Sequence, residues 1–210
     1  MMWFPSLYAL TDASATRSHV DQVGELVGAG VTIIQIRDKQ ASGRELFEMA
    51  VASLEFTRPA GAKLIVNDRV DVALAAGADG VHVGQDDLPA NAAREILGPA
   101  AIVGVSTHSL LQATAAAELP VDYVAFGPIF ATSTKVNPDP VVGIEGLAAA
   151  RSIVALPLVA IGGITIENAA AVYASGADSV AVVSDLRKGA SVDARVRAYL
   201  ALSPSRGPLP

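Results

Sequence analysis

The sequence predicts an α/β fold, a (β/α)8 TIM barrel in a single domain, and three observations carry that expectation. Eight short apolar, strand-like runs recur along the 210 residues. Alanine-rich segments of helical character lie between them. Glycine-containing turns of small residues stand just ahead of strands at residues 28–31, 76–80 and 175–179. Strands that alternate with helices pair in parallel through right-handed crossovers. Eight such units in about 200 residues suit a compact closed barrel. An open doubly wound sheet is the competing architecture, but it usually needs fewer strands, and no GxGxxG follows the first run.

The elements follow in order. Residues 7–11 (LYALT) read as the first strand, 32–37 (TIIQIR) as the second and 63–67 (KLIVN) as the third. The next are 80–83 (GVHV), 102–106 (IVGVS), 123–127 (YVAFG), 158–161 (LVAI) and 179–183 (SVAVV). Helices are expected at 42–56, 68–76 and 109–118, among others. The longest strand-to-helix connection, residues 128–143, holds Pro128, Pro138, Pro140 and Lys135 among Thr and Ser residues. A connection of that length in a compact barrel is usually functional, and it is expected to act as a lid. The catalytic domain is expected to span residues 1–202, with the Pro-rich stretch 203–210 disordered.

Composition narrows the function. The chain is 51% hydrophobic with a mean hydropathy of +0.43, which suits a packed core. Fifteen Lys and Arg against 21 Asp and Glu give a net charge of -6. Nucleic-acid binding, which needs a basic footprint, is not expected. With no cysteine, thiolate catalysis and Cys-ligated metal centres are excluded. The first residues lack a basic n-region and a long apolar stretch, so no signal peptide is expected. No apolar run approaches the roughly 18 residues that span a bilayer. The expectation is a cytoplasmic protein with no membrane partner.

Against that acidic background, Gln35-Ile36-Arg37-Asp38-Lys39 stands out at the end of the second strand. Strand alternation would place Gln35, Arg37 and Lys39 on one face. Two cations gathered there suggest a phosphate or diphosphate site. Polar residues also close the other strands: Asn67-Asp68-Arg69, Gln85-Asp86-Asp87, Ser106-Thr107-His108, Gly162-Gly163 and Ser184-Asp185. Each alone has a structural reading. Asn67-Asp68 and Asp86-Asp87 suit helix caps, and Gly162-Gly163 suits a tight turn. Their shared position at one end of the barrel, where such enzymes keep their active sites, favours a site. Asp68 and Asp87 are hard oxygen ligands suited to Mg2+. Arg37 and Lys39 suit diphosphate oxygens. Gly162-Gly163 and Val183-Ser184 follow the seventh and eighth strands, where backbone N–H groups commonly hold a monophosphate. His82 reads as a core or pore residue, His108 as a helix start and His19 as surface.

The segments LYALTD, QIRDK, LIVNDRVDVALAAGADGVHVGQDDLP, GVSTHS, FGPIFATSTK, AIGGI and AVVSDL, in this order, resemble the thiamine-phosphate synthase family along nearly the whole chain. The resemblance implies a transferase of thiamine biosynthesis with small-molecule substrates. An aminopyrimidine carrying a hydroxymethyl diphosphate would lose pyrophosphate, passing through a carbocation. The nitrogen of a thiazole phosphate would then capture the pyrimidine methylene. Gln35, Ile36, Arg37, Asp38, Lys39, Asn67 and Lys135 would hold the pyrimidine diphosphate, with Ser106 on the pyrimidine. Arg37, Lys39, Ser106 and Lys135 would be the catalytic members. Asp68 and Asp87 would ligate Mg2+. Thr132, Ser133, Thr134, Gly163, Val183 and Ser184 would hold the thiazole phosphate. One departure is Ala131, where the family often has Pro. Two rivals are a related thiazole tautomerase and a phosphate-ligand sensor on the same barrel. The tautomerase carries a His where this chain has Pro128, and the sensor would not need paired metal carboxylates.

Overall fold

The computed structural model describes residues 4–132 and 139–202. Strands and helices alternate from end to end. They run β1 (Leu7–Leu10), α1 (His19–Gly28), β2 (Ile33–Ile36), α2 (Gly43–Ala60), β3 (Lys63–Asn67), α3 (Val70–Ala76), β4 (Gly80–Val83) and α4 (Ala90–Leu97). The second half continues with β5 (Ile102–Thr107), α5 (Leu110–Ala117), β6 (Tyr123–Phe126), α6 (Gly143–Ile153), β7 (Leu158–Ile161), α7 (Ile166–Ala174) and β8 (Ser179–Val182). A 3-10 turn, Ser184–Arg187, then leads into α8 (Val192–Ala201). Every strand pairs in parallel with its sequence neighbours, and β8 returns to β1, so the barrel closes. The expected (β/α)8 architecture is what the chain adopts. Among the described residues no helix is long and apolar enough to cross a membrane.

Local signals explain the element ends. Ser42 and Glu45 form a capping box at the start of α2, and Gly61 ends that helix in a left-handed conformation. Ser18 caps α1 and Ser109 caps α5 through side-chain oxygens. The strands are rich in Val, Ile and aromatic residues, which favour the pleated backbone.

Two apolar layers follow from strand alternation. Leu7, Ile34, Ile36, Leu64, Val66, Val81, Val103 and Leu158 face the helices in one buried cluster. Tyr8, Leu10, Ile33, Ile65, Tyr123, Ala125, Val159 and Ala181 form a second cluster in the barrel interior. Tyr8 and Tyr123 belong to β1 and β6, which are not neighbours, so their hydroxyl contact of 2.9 Å crosses the interior. Gly104 makes that crossing possible: a Cβ there would overlap the Tyr123 ring.

A repeated clamp pins the opposite, N-terminal end of the barrel. Asp79, Asp122 and Asp178 each sit in the turn before an even strand and accept the backbone N–H of Leu64, Val103 and Leu158 on a preceding odd strand. Lys63, Arg94 and Arg151 supply the countercharges. Glycine turns signalled the places of Asp79 and Asp178 in the sequence but not that of Asp122, and the carboxylates carry the contact. The C-terminal helix has its own anchor. Asp185, 2% exposed, accepts hydrogen bonds from Arg195, Tyr199 and the Ile166 N–H. Burial opposes ionisation of Asp185, but those donors outweigh it and hold its carboxyl below the usual range.

Because that folded-state carboxyl titrates below its unfolded counterpart, its contribution is complete above the ordinary Asp range and lost as pH falls through it. Asp185→Asn is therefore expected to lower unfolding stability by about 2–4 kcal/mol at neutral pH by leaving Arg195 uncompensated. The gap to wild type should narrow towards about pH 3. Denaturant titrations at both pH values check this, and a gap that does not change with pH counts against the anchor.

Candidate active site

The site lies at the C-terminal ends of the strands. There the inward positions change from apolar to polar: Gln35 on β2, Asn67 on β3, His82 on β4 and Ser106 on β5. Asn67 and His82 are register partners, and Gln35 lies opposite Ile65. Gln35 is 2% exposed and its Nε2 donates to the Tyr8 hydroxyl at 2.9 Å. The Tyr123 hydroxyl meets His82 Nδ1 at 2.8 Å, and His82 Nε2 meets Ser106 Oγ at 2.7 Å. His82 stacks on the Tyr123 ring with centroids 5.5 Å apart. Burial pushes the His82 pKa down to about 4 against the opposing Asp87 charge, with His108 and Arg37 adding to the fall, so the ring is neutral at neutral pH. His82 is thus both interior and fully hydrogen-bonded.

The strand of the QIRDK segment ends at Ile36, so simple alternation does not carry through to Lys39. Ile36 packs its side chain in the outer apolar layer, leaving only its backbone for a ligand. Arg37 is half-buried just past the strand end, its N–H donating to Thr11 Oγ1 at 3.1 Å. Asp38 turns into its own loop, accepting from Gln40 and Ala41 N–H and meeting His19 Nε2 at 3.3 Å. His19 also contacts Thr11 Oγ1 at 2.6 Å and is 8% exposed. It braces the loop beneath Arg37 instead of lying on the surface. Neither its position near the chain start nor its neighbours in sequence signal that role.

Lys39 reaches across to β3, with Nζ 3.1 Å from Asp68 Oδ2. Asp68 has a φ of 61° and is the one non-glycine residue with positive φ among those described. It does not cap α3, whose N-cap is Arg69 without a side-chain bond. Asp87 does not cap α4 either; it accepts the Gly84 N–H at 2.7 Å and turns its carboxyl towards Asp68. Burial raises the Asp68 pKa first, and the hydrogen-bonded, like-charged Asp87 raises it further, against the opposing Lys39. Two carboxylates in that contact call for a proton or a cation between them. Among the described residues no group of three or more His, Asp or Glu side chains gathers that could enclose a metal.

The other half of the mouth is built on β6, β7 and β8. Phe130 N–H donates to Gly162 O at 3.0 Å, extending the β6–β7 ladder into the following loop. Gly162 and Gly163 have φ of 100° and 62°, and a Cβ on either would sit 2.5 Å from Pro128 or from Ala131 O. Only glycine allows both the backbone conformation and that approach. Gly163 thereby lies against the chain leading to Thr132. Val183 packs against the interior cluster, and Ser184, exposed, opens the 3-10 turn. His108 ties β5 to this loop through Gly127 O and Asp139. Ser133, Thr134 and Lys135 lie outside the described residues.

Known proteins resemble this chain along most of its length. The family model for thiamine monophosphate synthase (TMP-TENI) matches residues 7–186. A thiamine-phosphate synthase of Koribacter versatilis is 50% identical over 202 residues, covering 92% of each chain. One of Azorhizobium caulinodans is 53% identical over 183 residues, covering 86% of each. A solved thiamine phosphate pyrophosphorylase from Pyrococcus furiosus superposes with a TM-score of 0.85 at 38% identity, covering 94% of each chain. With a barrel of the same form and a family match over most of its length, the chain belongs to the thiamine monophosphate synthase family.

Proposed function

We propose that this chain is a thiamine-phosphate synthase, a transferase that joins an aminopyrimidine methyl diphosphate to a thiazole phosphate and releases pyrophosphate. The bond from the pyrimidine methylene carbon to the diphosphate oxygen breaks, and a bond from that carbon to the thiazole nitrogen forms. The observation that carries this reading is the charge arrangement at one rim: an Asp68–Asp87 carboxylate contact with Lys39 on Asp68 and Arg37 on the neighbouring strand end.

Asp68 and Asp87 fit Mg2+. They offer hard oxygens, their contact favours a cation, and two protein ligands leave room for water and diphosphate oxygens. When bound there, the cation would neutralise charge on the departing pyrophosphate. Arg37 and Lys39 act on the same group. Arg37 presents a planar fork and Lys39 a mobile point charge, and both matter most as negative charge builds in the transition state. Lys135 is assigned to the same diphosphate. Gln35, Asn67 and Ser106 line the interior position for the pyrimidine. The backbone of Ile36 and the Asp38 loop shape the approach. Thr132, Ser133 and Thr134, with Gly163, Val183 and Ser184, are assigned to the thiazole phosphate. No general base or covalent nucleophile is required, which agrees with a neutral, enclosed His82.

The direct test is pyrophosphate release with both substrates present, with and without Mg2+. Release that needs both substrates and the metal is the expected result; none under any condition would overturn the reading. In the same assay Arg37→Ala is expected to lower kcat by roughly 10²- to 10³-fold with an unchanged unfolding midpoint. Wild-type turnover in that variant removes Arg37 from leaving-group stabilisation.

Asp68 gives a metal-specific expectation. Its folded pKa is raised, so charging it at neutral pH costs folded-state stability, and that cost disappears as pH falls and it protonates. Metal-free Asp68→Asn should therefore melt above metal-free wild type at neutral pH, with the difference shrinking in acid. The Mg2+-dependent rise in Tm seen for wild type should be absent in the variant. Thermal melts with and without Mg2+ check both signs.

A further inference from the structure

Five interior side chains form one unbranched chain of hydrogen bonds across the barrel: Gln35, Tyr8, Tyr123, His82 and Ser106. The two ends, Gln35 and Ser106, are among the residues assigned above to the pyrimidine, so the inference rests on that reading. No side chain of the three middle groups is hydrogen-bonded to a side chain of the charged rim, although the His82 carbonyl accepts the Asp68 N–H at 2.8 Å. They share three hydrogens: one on each tyrosine and one on the neutral histidine ring. Four links join the five groups, and each link needs one hydrogen. With a single further hydrogen, supplied by one end or the other, only two arrangements satisfy every link. In both, all hydrogens run the same way.

We infer that Tyr8, Tyr123 and His82 are positioning residues that force Gln35 and Ser106 to present opposite, matched hydrogen-bonding groups to the substrate ring. With Gln35 Nε2 facing Tyr8, Tyr8 donates to Tyr123 and Tyr123 to His82 Nδ1. His82 then carries its hydrogen on Nε2 and donates to Ser106 Oγ. Ser106 is left as an outward donor, and Gln35 offers its Oε1 as an outward acceptor. Reversing either end alone leaves two lone pairs facing each other, or a hydrogen with no acceptor in the chain, among largely buried groups. A buried unmet hydrogen bond costs enough to forbid such mixed states at ordinary populations. The substrate must therefore match both ends together. An aminopyrimidine, with a donor amino group beside an acceptor ring nitrogen, can do so. Its oxo counterpart, with a carbonyl in place of the amino group and a hydrogen on the adjacent nitrogen, reverses both characters. It is accepted only by flipping the whole chain, including the Gln35 amide and the His82 tautomer.

The histidine tautomer is readable without substrate. Nitrogen-15 NMR of the free protein, with His82 assigned by its loss in His82→Gln, should show Nε2 protonated and Nδ1 bare. Tyr123→Phe removes one hydroxyl without changing ring volume and cuts the chain. It should give a mixed tautomer and reduce the kcat/KM preference for the aminopyrimidine diphosphate over its oxo counterpart by roughly tenfold or more. Tyr8→Phe, which cuts the adjacent link, should lower the preference similarly, and unfolding midpoints confirm that both variants fold. An Nδ1-protonated wild type, or folded variants with an unchanged tautomer and preference, would overturn the inference. If wild type turned over neither pyrimidine, the functional reading would fall, while the tautomer measurements would still decide the hydrogen-bond chain.

Discussion

Closure of the parallel barrel is the constraint on which the rest depends. With β8 paired to β1 there is no sheet edge, and every second side chain must point into a space that only side chains fill. The lower interior is filled by Ile33, Ile65, Val159 and the two tyrosines. The same alternation carries Gln35, Asn67, His82 and Ser106 inward one step higher, where apolar packing gives way to hydrogen bonding. These polar side chains therefore start from strand backbone instead of loops. The three aspartate clamps at the opposite end hold the registers that make this true.

An acidic chain can serve an anionic substrate because charge is sorted locally. The rim carries Arg37 and Lys39 beside Asp68 and Asp87, and those two carboxylates are held close enough together to favour a cation between them. The His19–Thr11–Asp38 group beneath the rim has a different task. It fixes the backbone from which Arg37 projects, so that a flexible side chain starts from an inflexible point.

The sequence carried the architecture well because alternation and glycine turns are local signals. Predicted and observed strands differ by at most a residue at most ends. The converging polar strand ends were legible for the same reason. What was not legible depends on contacts between distant segments. Asn67-Asp68 and Asp87 fit the pattern of helix caps, and only the loop geometry shows them turned elsewhere. Ile36 sits inside the best motif of the chain, yet its side chain faces the helices. His19 looked exposed because nothing nearby in sequence encloses it; Thr11 and Asp38 do so in space. Tyr8 and Tyr123 read as ordinary strand aromatics, since their hydroxyls meet across 115 positions of sequence.

Asp68 holds a backbone conformation that side chains rarely adopt, in the loop that turns its carboxyl towards Asp87. Glycine would relieve the backbone there, and asparagine would tolerate it while removing the charge. A search for more heat-resistant forms of this barrel would therefore keep finding replacements at this position, each by discarding a carboxylate that the chemistry is proposed to use. Thermal tolerance and metal chemistry compete at a single codon, so a selection on stability alone would drift towards a well-folded barrel with a blunted rim.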